Sequence, residues 1–454
     1  MKKANMFIGS QEIDGCFEGV EYTLKALEIA KESAKITKKV PLHQRLNWLK
    51  DVASKLKVIK DDMAETITKE VGKPIYFSRI EVDRCIETIE LSIYAMSNMC
   101  GQTYDTTVMP SGKESISYYK REPVGVIVAI TPFNFPLNLV AHKIAPALVS
   151  GNSVVLKPTP EAPLTAYKFA KLFIESEYAT KDALSLVYGD ADVGNALVSS
   201  DIPRVISFTG SVGVGKIITK NAGIKKVSLE LGGNAGSYIE KSADIITASK
   251  KVVFGAFVNS GQVCISLQRV YVDDEIYDDF ANALVEETKK LKVGDPMSDE
   301  TFIGPLINID AVNRALKWID EAKREGAKIL LGGESDGNIM YPTVVTEVTD
   351  SMNIVCEEVF APIVSLIRVK DFDEVVSKIN NSPYGLQHSI FSNDIRVIKR
   401  AIDEFECGGV VVNDIPTLRF DVQPYGGVKL SGIGKEGPKF AIEEFTEIKS
   451  VVIC

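Results

Sequence analysis

The sequence predicts an α/β protein with more than one domain and a Rossmann-like parallel sheet. The chain has 454 residues, which is too many for a single hydrophobic core. From residue 124 onward, short apolar runs alternate with segments of helical periodicity. Strands that are apolar along their whole length are typical of a parallel sheet with helices on both faces.

The first hundred residues are predicted to be mainly helical. Apolar side chains recur there on one helical face, at Leu46, Leu49, Val52, Leu56 and Ile59. The next helix is expected over 61–71, because Gly72 follows it and glycine commonly ends a helix. Residues 115–119 are β-prone and follow a Pro-Ser-Gly turn, so a hairpin is expected within 102–123.

Five apolar runs define the strands of the predicted parallel sheet. They span 124–130, 153–156, 184–187, 205–208 and 227–229. Such sheets bind ligands beyond the carboxyl ends of their strands. The loops after Ile130, Leu156 and Phe208 should therefore line one crevice. A second alternating region runs from about residue 232 to the low 420s.

Composition and charge argue against several classes of protein. A net charge of −9 disfavours nucleic acid or an anionic membrane surface as a partner. No apolar run approaches the roughly 20 residues that span a bilayer, and the first six residues do not resemble a secretory signal. Three separated histidines predict no metal site. The absence of a Cys-x-x-Cys pair is typical of reduced cytoplasmic thiols. The seven cysteines are Cys16, Cys85, Cys100, Cys264, Cys356, Cys407 and Cys454.

Cys264 and Glu230 are the residues that indicate catalytic chemistry. Cys264 follows Gly261 closely, so it is easily approached, and a thiol is the best nucleophile among the side chains. Glu230 ends a predicted strand just ahead of two glycines, where backbone can come close to a ligand. It is a candidate to activate a water. A cysteine in a half-apolar segment is often structural, so the local run alone leaves both interpretations open.

Two turns at strand ends are candidate binding sites. Residues 208–215 form a Gly-rich turn, and free amides at a helix N-terminus suit a pyrophosphate; an ordinary tight turn is the alternative. Asn134 lies between Pro132 and Pro136, so its backbone is stiffened. A rigidly held amide donor suits an oxyanion hole, and a capping asparagine is the alternative.

Further runs complete a set of motifs that resembles one family. They are 157–158 (Lys-Pro), 357–362 (Glu-Glu-Val-Phe-Ala-Pro), 381–386 (Asn-Ser-Pro-Tyr-Gly-Leu) and 424–432 (Pro-Tyr-Gly-Gly-Val-Lys-Leu-Ser-Gly). In this order, and with Glu230 and Cys264 lying 34 positions apart, the set resembles the NAD(P)-dependent aldehyde dehydrogenase superfamily over nearly the whole chain. Residues 134–139 and 264–266 are most similar to lactaldehyde-type dehydrogenases.

The resemblance implies the aldehyde dehydrogenase fold, which is α/β with three parts. A Rossmann-like parallel-sheet cofactor domain is expected over 1–103 and 124–231. An α/β catalytic domain is expected over 232–423. A small β oligomerisation arm is expected over 104–123 and 424–454. Relatives are dimers or tetramers, so a homo-oligomer is expected. The unpaired cysteines favour a cytoplasmic location.

The resemblance also implies roles for individual residues. Cys264 matches the nucleophile, Asn134 with the Cys264 amide matches the oxyanion hole, and Glu230 matches the general base. Lys157 matches the group on the adenosine ribose and Glu358 the carboxylate on the nicotinamide ribose. Lys143 matches a supporting lysine. The residues implied at the NAD or NADP cofactor are Thr131, Pro132, Phe133, Lys157, Thr159, Pro160, Gly210, Ser211, Val214, Leu231, Gly232, Glu358 and Phe360.

Four features depart from the family pattern. Pro160 stands three residues after Lys157, where a carboxylate often binds the adenosine 2′-hydroxyl, so a 2′-phosphate is not repelled and NADP is not excluded. No arginine stands close by in the sequence to pair with a 2′-phosphate, so NAD is expected with NADP tolerated. The glycine-rich segment 188–194 is one residue shorter than is usual in the family. An N-terminal strand pair is expected to be absent. Val263 stands where non-phosphorylating glyceraldehyde-3-phosphate dehydrogenases tend to carry arginine, which disfavours a phosphorylated aldehyde.

Arg419 carries the sharpest expectation about the substrate. In relatives its loop reaches the mouth of the aldehyde tunnel, where a guanidinium could hold a carboxylate, phosphate or sulfonate. The alternative is a surface ion pair with Asp421 or Asp414. The residues expected at the substrate are Asn138, His142, Val263, Ile265 and Arg419.

The resemblance predicts oxidation of a small polar, lactaldehyde-like aldehyde to its acid through a thiohemiacetal and a thioester. Alternatives are a non-phosphorylating glyceraldehyde-3-phosphate or semialdehyde dehydrogenase. A CoA-acylating semialdehyde dehydrogenase typically lacks the glutamate that Glu230 matches. A catalytically silent structural or binding protein is expected to have lost Cys264 or Glu230, and both are present.

Overall fold

A computed structural model describes residues 4–15 and 19–454. Its first elements are β1 (Met6–Ile8), β2 (Gln11–Ile13), α1 (Val20–Thr37), α2 (Leu42–Val58), α3 (Lys60–Val71) and α4 (Ile75–Ser97). The predicted helical start is confirmed, and α3 ends before Gly72, whose φ of +71° favours glycine. Cys16 and the first three residues lie outside the described part of the chain.

The segment 102–230 contains the predicted parallel sheet. Its elements are β3 (Gln102–Tyr104), β4 (Ile116–Pro123), β5 (Val126–Ile130), α5 (Asn138–Val149), β6 (Ser153–Lys157), α6 (Pro163–Ile174), β7 (Leu184–Leu186), α7 (Ala191–Ser199), β8 (Val205–Thr209), α8 (Val212–Asn221) and β9 (Lys226–Glu230). The strands β7, β6, β5, β8 and β9 are parallel neighbours in that order. Their apolar side chains are buried because helices cover both faces. The predicted fold class is confirmed.

The expected absence of an N-terminal strand pair is wrong. β1 and β2 pair antiparallel, with Met6 opposite Ile13, and β1 extends the parallel sheet at β7 through Phe7 and Leu186. The turn between them is held by the Gly9 N–H, which donates to Ser185 Oγ at 2.8 Å. Strands of three residues carry too little alternation to be visible in a sequence, since tertiary pairing is what orders them.

The second half of the chain builds another sheet. Its elements are β10 (Ala235–Ile239), α9 (Ile245–Phe257), β11 (Leu267–Asp273), α10 (Tyr277–Thr288), α11 (Ile309–Arg324), β12 (Lys328–Leu331), β13 (Ser335–Asp336), β14 (Ile339–Met340), β15 (Thr343–Thr346), α12 (Asn353–Cys356), β16 (Ile363–Val369), α13 (Phe372–Asn380), β17 (Tyr384–Gly385), β18 (Gln387–Phe391), α14 (Ile395–Glu404) and β19 (Gly409–Val412). Seven strands form it in the order β12-β15-β16-β11-β10-β18-β19. All of its pairs are parallel except β12 with β15.

The last segment of the chain adds strands to other sheets. Its elements are β20 (Val428–Lys429), β21 (Gly432–Ile433), α15 (Pro438–Glu444) and β22 (Thr446–Ile453). β21 joins the first sheet beside β9, which gives the order β2-β1-β7-β6-β5-β8-β9-β21. β22 instead pairs with β4 along its whole length, and β4 pairs with β3. The expected hairpin within 102–123 is confirmed, whereas the domain boundaries stay a prediction. No helix in the described ranges is long and apolar enough to cross a membrane.

Candidate active site

A single cavity of about 470 Å³ brings most of the predicted site residues together. The cavity is lined by residues from the first sheet, the second sheet and the loop after β19. The predicted residues that line it are Pro132, Phe133, Asn134, Asn138, Gly210, Ser211, Glu230, Leu231, Gly232, Val263, Cys264, Ile265, Glu358, Phe360 and Arg419. The predicted residues outside its lining are Thr131, His142, Lys157, Thr159, Pro160 and Val214.

Cys264 is presented by a tight turn that follows α9. Asn259 and Ser260 both adopt left-handed backbone, with φ of 52° and 56°, and Gly261 continues it at +73°. A Cβ on Gly261 would collide with the Ala361 carbonyl, so glycine is required there. The turn leaves Cys264 half-buried at the cavity wall. Burial raises the pKa of the Cys264 thiol to about 12, against a lowering contribution from Tyr425.

Asn134 reaches the same wall from the loop after β5. Its Nδ2 donates to the Gln262 carbonyl at 3.1 Å, which ties it to the turn that carries Cys264. An amide nitrogen has two N–H groups, so the second remains for a ligand. Its Oδ1 is buried and has no hydrogen-bond partner among the described residues.

A buried ion pair that the sequence did not reveal supports the Asn134 loop. Glu81 on α4 accepts hydrogen bonds from the backbone N–H groups of Leu137 and Asn138, at 2.9 and 3.0 Å. Lys73 pairs with Glu81, and its Nζ lies 3.9 Å from the centroid of the Phe135 ring. A carboxylate at the first turn of a helix is favourable, so the Glu81 carboxylate holds the start of α5 in place.

Glu230 ends β9 and faces the cavity as an almost fully buried carboxylate. Neither of its oxygens has a hydrogen-bond partner among the described residues. Burial, and then the nearby charge of Glu436, raise the pKa of Glu230 well above its usual value. Gly426 makes room for it, since a Cβ at that position would lie 2.7 Å from Glu230 Oε1.

Glu436 is another buried carboxylate near Glu230, and no motif in the sequence predicted it. Lys143 Nζ lies 3.4 Å from Glu436 Oε1, and Arg419 Nη2 donates to Glu436 Oε2 at 3.1 Å. Burial alone would raise the pKa of Glu436, but these cations, Lys143 foremost, lower it. The only local feature in the sequence that could have indicated a site residue here is the Gly-rich run just before Glu436.

Arg419 lines the cavity and is also paired with two carboxylates, while its contact with a substrate stays a prediction. Its Nε lies 2.9 Å from Asp421 Oδ1, and only 10% of its side chain is exposed. It does not pair with Asp414, which binds Lys251 at 2.6 Å. Arg84 on α4, another missed residue, places its Nη2 at 3.0 and 2.9 Å from the two oxygens of Asp421.

Asn138 and His142 occupy different positions around this cluster. Asn138 lines the cavity and accepts a hydrogen bond from Thr88 Oγ1 at 2.9 Å. His142 lies behind the wall, with Nε2 at 3.2 Å from Asp421 Oδ1 and 3.3 Å from Arg419 Nη2. His142 therefore contacts the ion-pair cluster rather than the cavity itself.

The other end of the cavity has the features of a nucleotide crevice. Ser211 caps α8 by accepting the Val214 N–H at 3.4 Å, and Gly210 and Ser211 line the cavity, so the N-terminus of that helix, where an anion is favoured, lies at the crevice. Thr209 Oγ1 is buried without a hydrogen-bond partner in the described ranges, which leaves it available to a polar ligand. The rings of Phe133 and Phe360 meet edge to face, 5.9 Å apart, across the opening.

Glu358, the residue predicted to bind the nicotinamide ribose, lines the cavity. Its Oε1 accepts the Gly233 N–H at 3.0 Å. Burial raises its pKa to about 7, against the lowering effect of the Gly233 hydrogen bond. A Cβ on Gly232 would lie 2.7 Å from Glu358 Oε2, so glycine keeps backbone and carboxylate close together. These features fit a bound dinucleotide.

Lys157 and its neighbours lie at the end of β6, next to the end of β5. Burial lowers the pKa of Lys157, while Asp190 and Glu161 oppose that effect. The Thr159 hydroxyl donates to the Glu161 carboxylate. A carboxylate, Glu161, thus stands one residue after Pro160 and contacts Thr159.

A cysteine facing a nucleotide crevice between two α/β sheets is the arrangement of a dehydrogenase. The chain belongs to the aldehyde dehydrogenase family, whose sequence model matches residues 18–451. The predicted resemblance is thus confirmed. The protein is an oxidoreductase that acts on aldehydes, and its cofactor is NAD(P), since solved relatives of the same fold hold NADP or NAD.

Relatives with specific names are similar along nearly the whole chain. A 3-sulfolactaldehyde dehydrogenase of Priestia megaterium is 44% identical over 430 residues, covering 94% of this chain and 90% of the relative. A lactaldehyde dehydrogenase of Methanococcus aeolicus is 42% identical over 435 residues, covering 95% and 92%.

Two solved structures share the fold closely. Aldehyde dehydrogenase 21 of Physcomitrella patens, in complex with the reaction product succinate, has a TM-score of 0.96 and 34% identity, over 100% of this chain and 98% of the other. A glyceraldehyde-3-phosphate dehydrogenase of Methanocaldococcus jannaschii, complexed with NADP, has a TM-score of 0.94 and 36% identity, over 100% and 99%.

Proposed function

We propose that the protein oxidises a small polar aldehyde, lactaldehyde-like or an anionic analogue of it, to the carboxylic acid through a thioester on Cys264. The observation that carries this proposal is that Cys264, Asn134 and Glu230 line one cavity, which continues into the nucleotide crevice. Lactaldehyde and sulfolactaldehyde dehydrogenases among the relatives support the same substrate class.

The first half of the reaction uses Cys264 and Asn134. The Cys264 thiolate attacks the aldehyde carbon and forms a thiohemiacetal, because the thiolate is the nucleophilic form of cysteine. The Asn134 amide and the Cys264 backbone N–H donate to the developing oxyanion, and such donors are worth about 3–4 kcal/mol each. When bound, the cofactor supplies the acceptor for hydride, which leaves a thioester on Cys264.

The second half of the reaction uses Glu230. The ionised Glu230 removes a proton from a water, and the resulting hydroxide attacks the thioester and releases the acid. A carboxylate that has no fixed hydrogen-bond partner in the described ranges is free to bind that water. Its raised pKa makes it a stronger base than an ordinary glutamate.

Charge at the substrate end of the cavity favours an anionic or strongly polar aldehyde. A cluster of ion pairs lies there among the described residues. It contains four cations, Lys73, Arg84, Lys143 and Arg419, and three carboxylates, Glu81, Asp421 and Glu436. Glu230 is a further carboxylate beside this cluster, and burial, which raises its pKa, disfavours its ionised form. Asp421 pairs with both Arg84 and Arg419, so among these paired groups the cations outnumber the carboxylates by one. A relative crystallised with succinate is consistent with this.

Arg84 is the residue best suited to hold the anionic group. Its side chain is 28% exposed, so it retains N–H groups that no described carboxylate occupies, and it lines the cavity. This specific observation favours a second candidate function, oxidation of a semialdehyde or another aldehyde that carries a carboxylate, sulfonate or phosphate.

The test is NAD(P)H absorbance with lactaldehyde, 3-sulfolactaldehyde, succinic semialdehyde and propanal as the panel. Turnover of lactaldehyde or an anionic aldehyde well above that of propanal supports the proposal, and Cys264→Ser should abolish it. Arg84→Met should raise KM for the anionic aldehydes by roughly tenfold, about 1.4 kcal/mol, with little effect on propanal. Arg79→Met is the matched control, because Arg79 lies on the same helix and pairs with Asp299. Retained turnover in Cys264→Ser would contradict the mechanism.

A further inference from the structure

Tyr425 touches the sulfur of Cys264. Its hydroxyl lies 3.0 Å from Cys264 Sγ, and the residue is 6% exposed. The neighbouring side chains Val263, Ile265 and Leu386 are apolar and pack in one cluster with Tyr425. In the described part of the chain, the hydroxyl therefore has the sulfur as its hydrogen-bond partner.

The tyrosine ring is fixed from two directions. The guanidinium carbon of Arg419 lies 3.8 Å from the ring centroid, and Arg419 is itself held by Glu436 and Asp421. The backbone of Tyr425 exchanges two hydrogen bonds with the backbone of Glu436, at 3.0 and 2.6 Å. The hydroxyl thus has little freedom to leave the sulfur.

We propose that the Tyr425 hydroxyl donates a hydrogen bond to the Cys264 thiolate, and that Arg419 stacked on the ring holds the hydroxyl in position. A hydrogen bond to an ionised group is stronger than one between neutral groups, so this donor favours the thiolate over the thiol. The inference rests on the proposed function only in taking Cys264 as the nucleophile.

The direction of the hydrogen bond follows from the protonation of Tyr425. Burial, and then the charge of the neighbouring Cys264 thiolate, raise the pKa of Tyr425 well above its usual value. The phenol therefore keeps its proton over the whole range in which an enzyme works, and it donates to a thiolate. The cation over the ring draws electron density from the phenol, which strengthens the hydroxyl as a donor.

The donor offsets part of the cost of burying the nucleophile. Burial raises the pKa of Cys264 to about 12, while the hydrogen bond from Tyr425 is the largest contribution that lowers it. Phenylalanine at 425 would fill the same space without the donor. The packing of Val263, Ile265 and Leu386 around the ring would be retained, so Tyr425→Phe isolates the hydroxyl.

The experiment is the alkylation rate of Cys264 in wild type and Tyr425→Phe, followed by mass spectrometry of the Cys264 peptide between pH 7 and 9. The exposed Cys100 is measured in the same sample as an internal reference. Loss of the donor should slow alkylation of Cys264 about tenfold at each pH, which corresponds to a rise of about one unit in the thiol pKa, and leave Cys100 unchanged. An equal or faster rate at Cys264 would overturn the inference.

Two reagents separate charge from access. Iodoacetamide and the bulkier N-ethylmaleimide should slow by the same factor if the thiolate is destabilised, whereas a changed opening would affect the larger reagent more and would contradict the inference. Turnover of Cys264→Ser distinguishes the two proposals. If that variant is inactive while Tyr425→Phe alkylates like wild type, the inference alone fails. If Cys264→Ser remains active, the proposed function fails whatever the alkylation rates show.

Discussion

Lys73 and Glu81 form an ion pair in which 1% and 0% of the side chains are exposed. The pair lies beside the active-site cavity, and the Glu81 carboxylate also receives the first backbone N–H groups of α5. Two buried charges are costly to desolvate. Their presence directly behind the Asn134 loop gives that loop a fixed position relative to Cys264.

Replacing Glu81 by glutamine should destabilise the protein strongly. Lys73 would keep a buried charge without a counter-charge, and breaking a buried pair on one side costs about 3–5 kcal/mol. We expect a lower thermal unfolding temperature for Glu81→Gln, measured by circular dichroism.

Glu90→Gln is the matched control for this prediction. Glu90 lies on the same helix as Glu81 and pairs with Lys57, but the two side chains are 51% and 56% exposed. Exposed pairs contribute about 0–1 kcal/mol, so the control should unfold close to wild type. Equal shifts in the two variants would mean that burial of the Lys73–Glu81 pair has no energetic consequence.

Glu230→Gln should spare the first half of the reaction and stall the second. Glutamine cannot remove a proton from water, whereas attack by Cys264 does not need Glu230. We expect a pre-steady-state burst of NAD(P)H in stopped-flow absorbance, followed by steady turnover reduced by two orders of magnitude or more. Loss of the burst would show that Glu230 acts before the thioester forms.

Activity should rise with pH between 7 and 9. Cys264 and Glu230 both act in their ionised forms, and burial raises the pKa of each, that of Cys264 to about 12. The ionised fraction of Cys264 is therefore small at neutral pH and grows as the pH increases, and the raised pKa of Glu230 shifts its ionisation in the same direction. Initial rates with saturating cofactor give the profile, and an optimum at or below pH 7 would contradict the assignment of these two groups.

The five parallel strands of the first sheet could be predicted because each buried strand leaves a continuous apolar run in the sequence. The contacts that complete the active site leave no such trace. Arg84 and Asp421 are 337 positions apart, and Lys143 and Glu436 are 293 apart. Arg84 looks like any charged residue on an amphipathic helix, so its position at the cavity depends on tertiary packing alone.

The three-stranded sheet β22-β4-β3 should join copies of the chain into a homo-oligomer. β22 is an edge strand, and unpaired strand edges tend to bind another chain. Ile448 and Val452 lie on one face of it and are 56% and 58% exposed. We expect a dimer or tetramer for wild type in sedimentation at micromolar concentration, and dissociation when both residues are changed to lysine.

Ile395→Lys serves as the control for that experiment. Ile395 is an apolar residue on α14 that is 72% exposed, so its replacement introduces the same charge away from the arm. The Ile395→Lys variant should have the same mass in solution as the wild-type protein. A monomeric wild type, or an arm variant that keeps the wild-type mass, would refute an intersubunit role for this sheet.

Glu161 should limit the use of NADP. Its carboxylate bonds to the Thr159 hydroxyl and acts electrostatically on Lys157, the residue proposed to bind the adenosine ribose. A negative charge there repels a 2′-phosphate but accepts a hydrogen bond from a 2′-hydroxyl. We expect NAD to be preferred with NADP tolerated, and Glu161→Gln to raise the NADP-to-NAD ratio of kcat/KM about tenfold, or about 1.4 kcal/mol.

Glu175→Gln tests whether this effect is local. Glu175 follows α6 on the surface and pairs with Lys171, so its replacement changes the net charge equally without altering the neighbourhood of Lys157. The ratio in this control should match wild type, because exposed charges beyond about 8–10 Å are screened by salt. A wild-type preference for NADP above roughly a hundredfold, about 2.7 kcal/mol, would mean that Glu161 turns away from the ribose when cofactor binds and that Lys157 pairs with the phosphate instead.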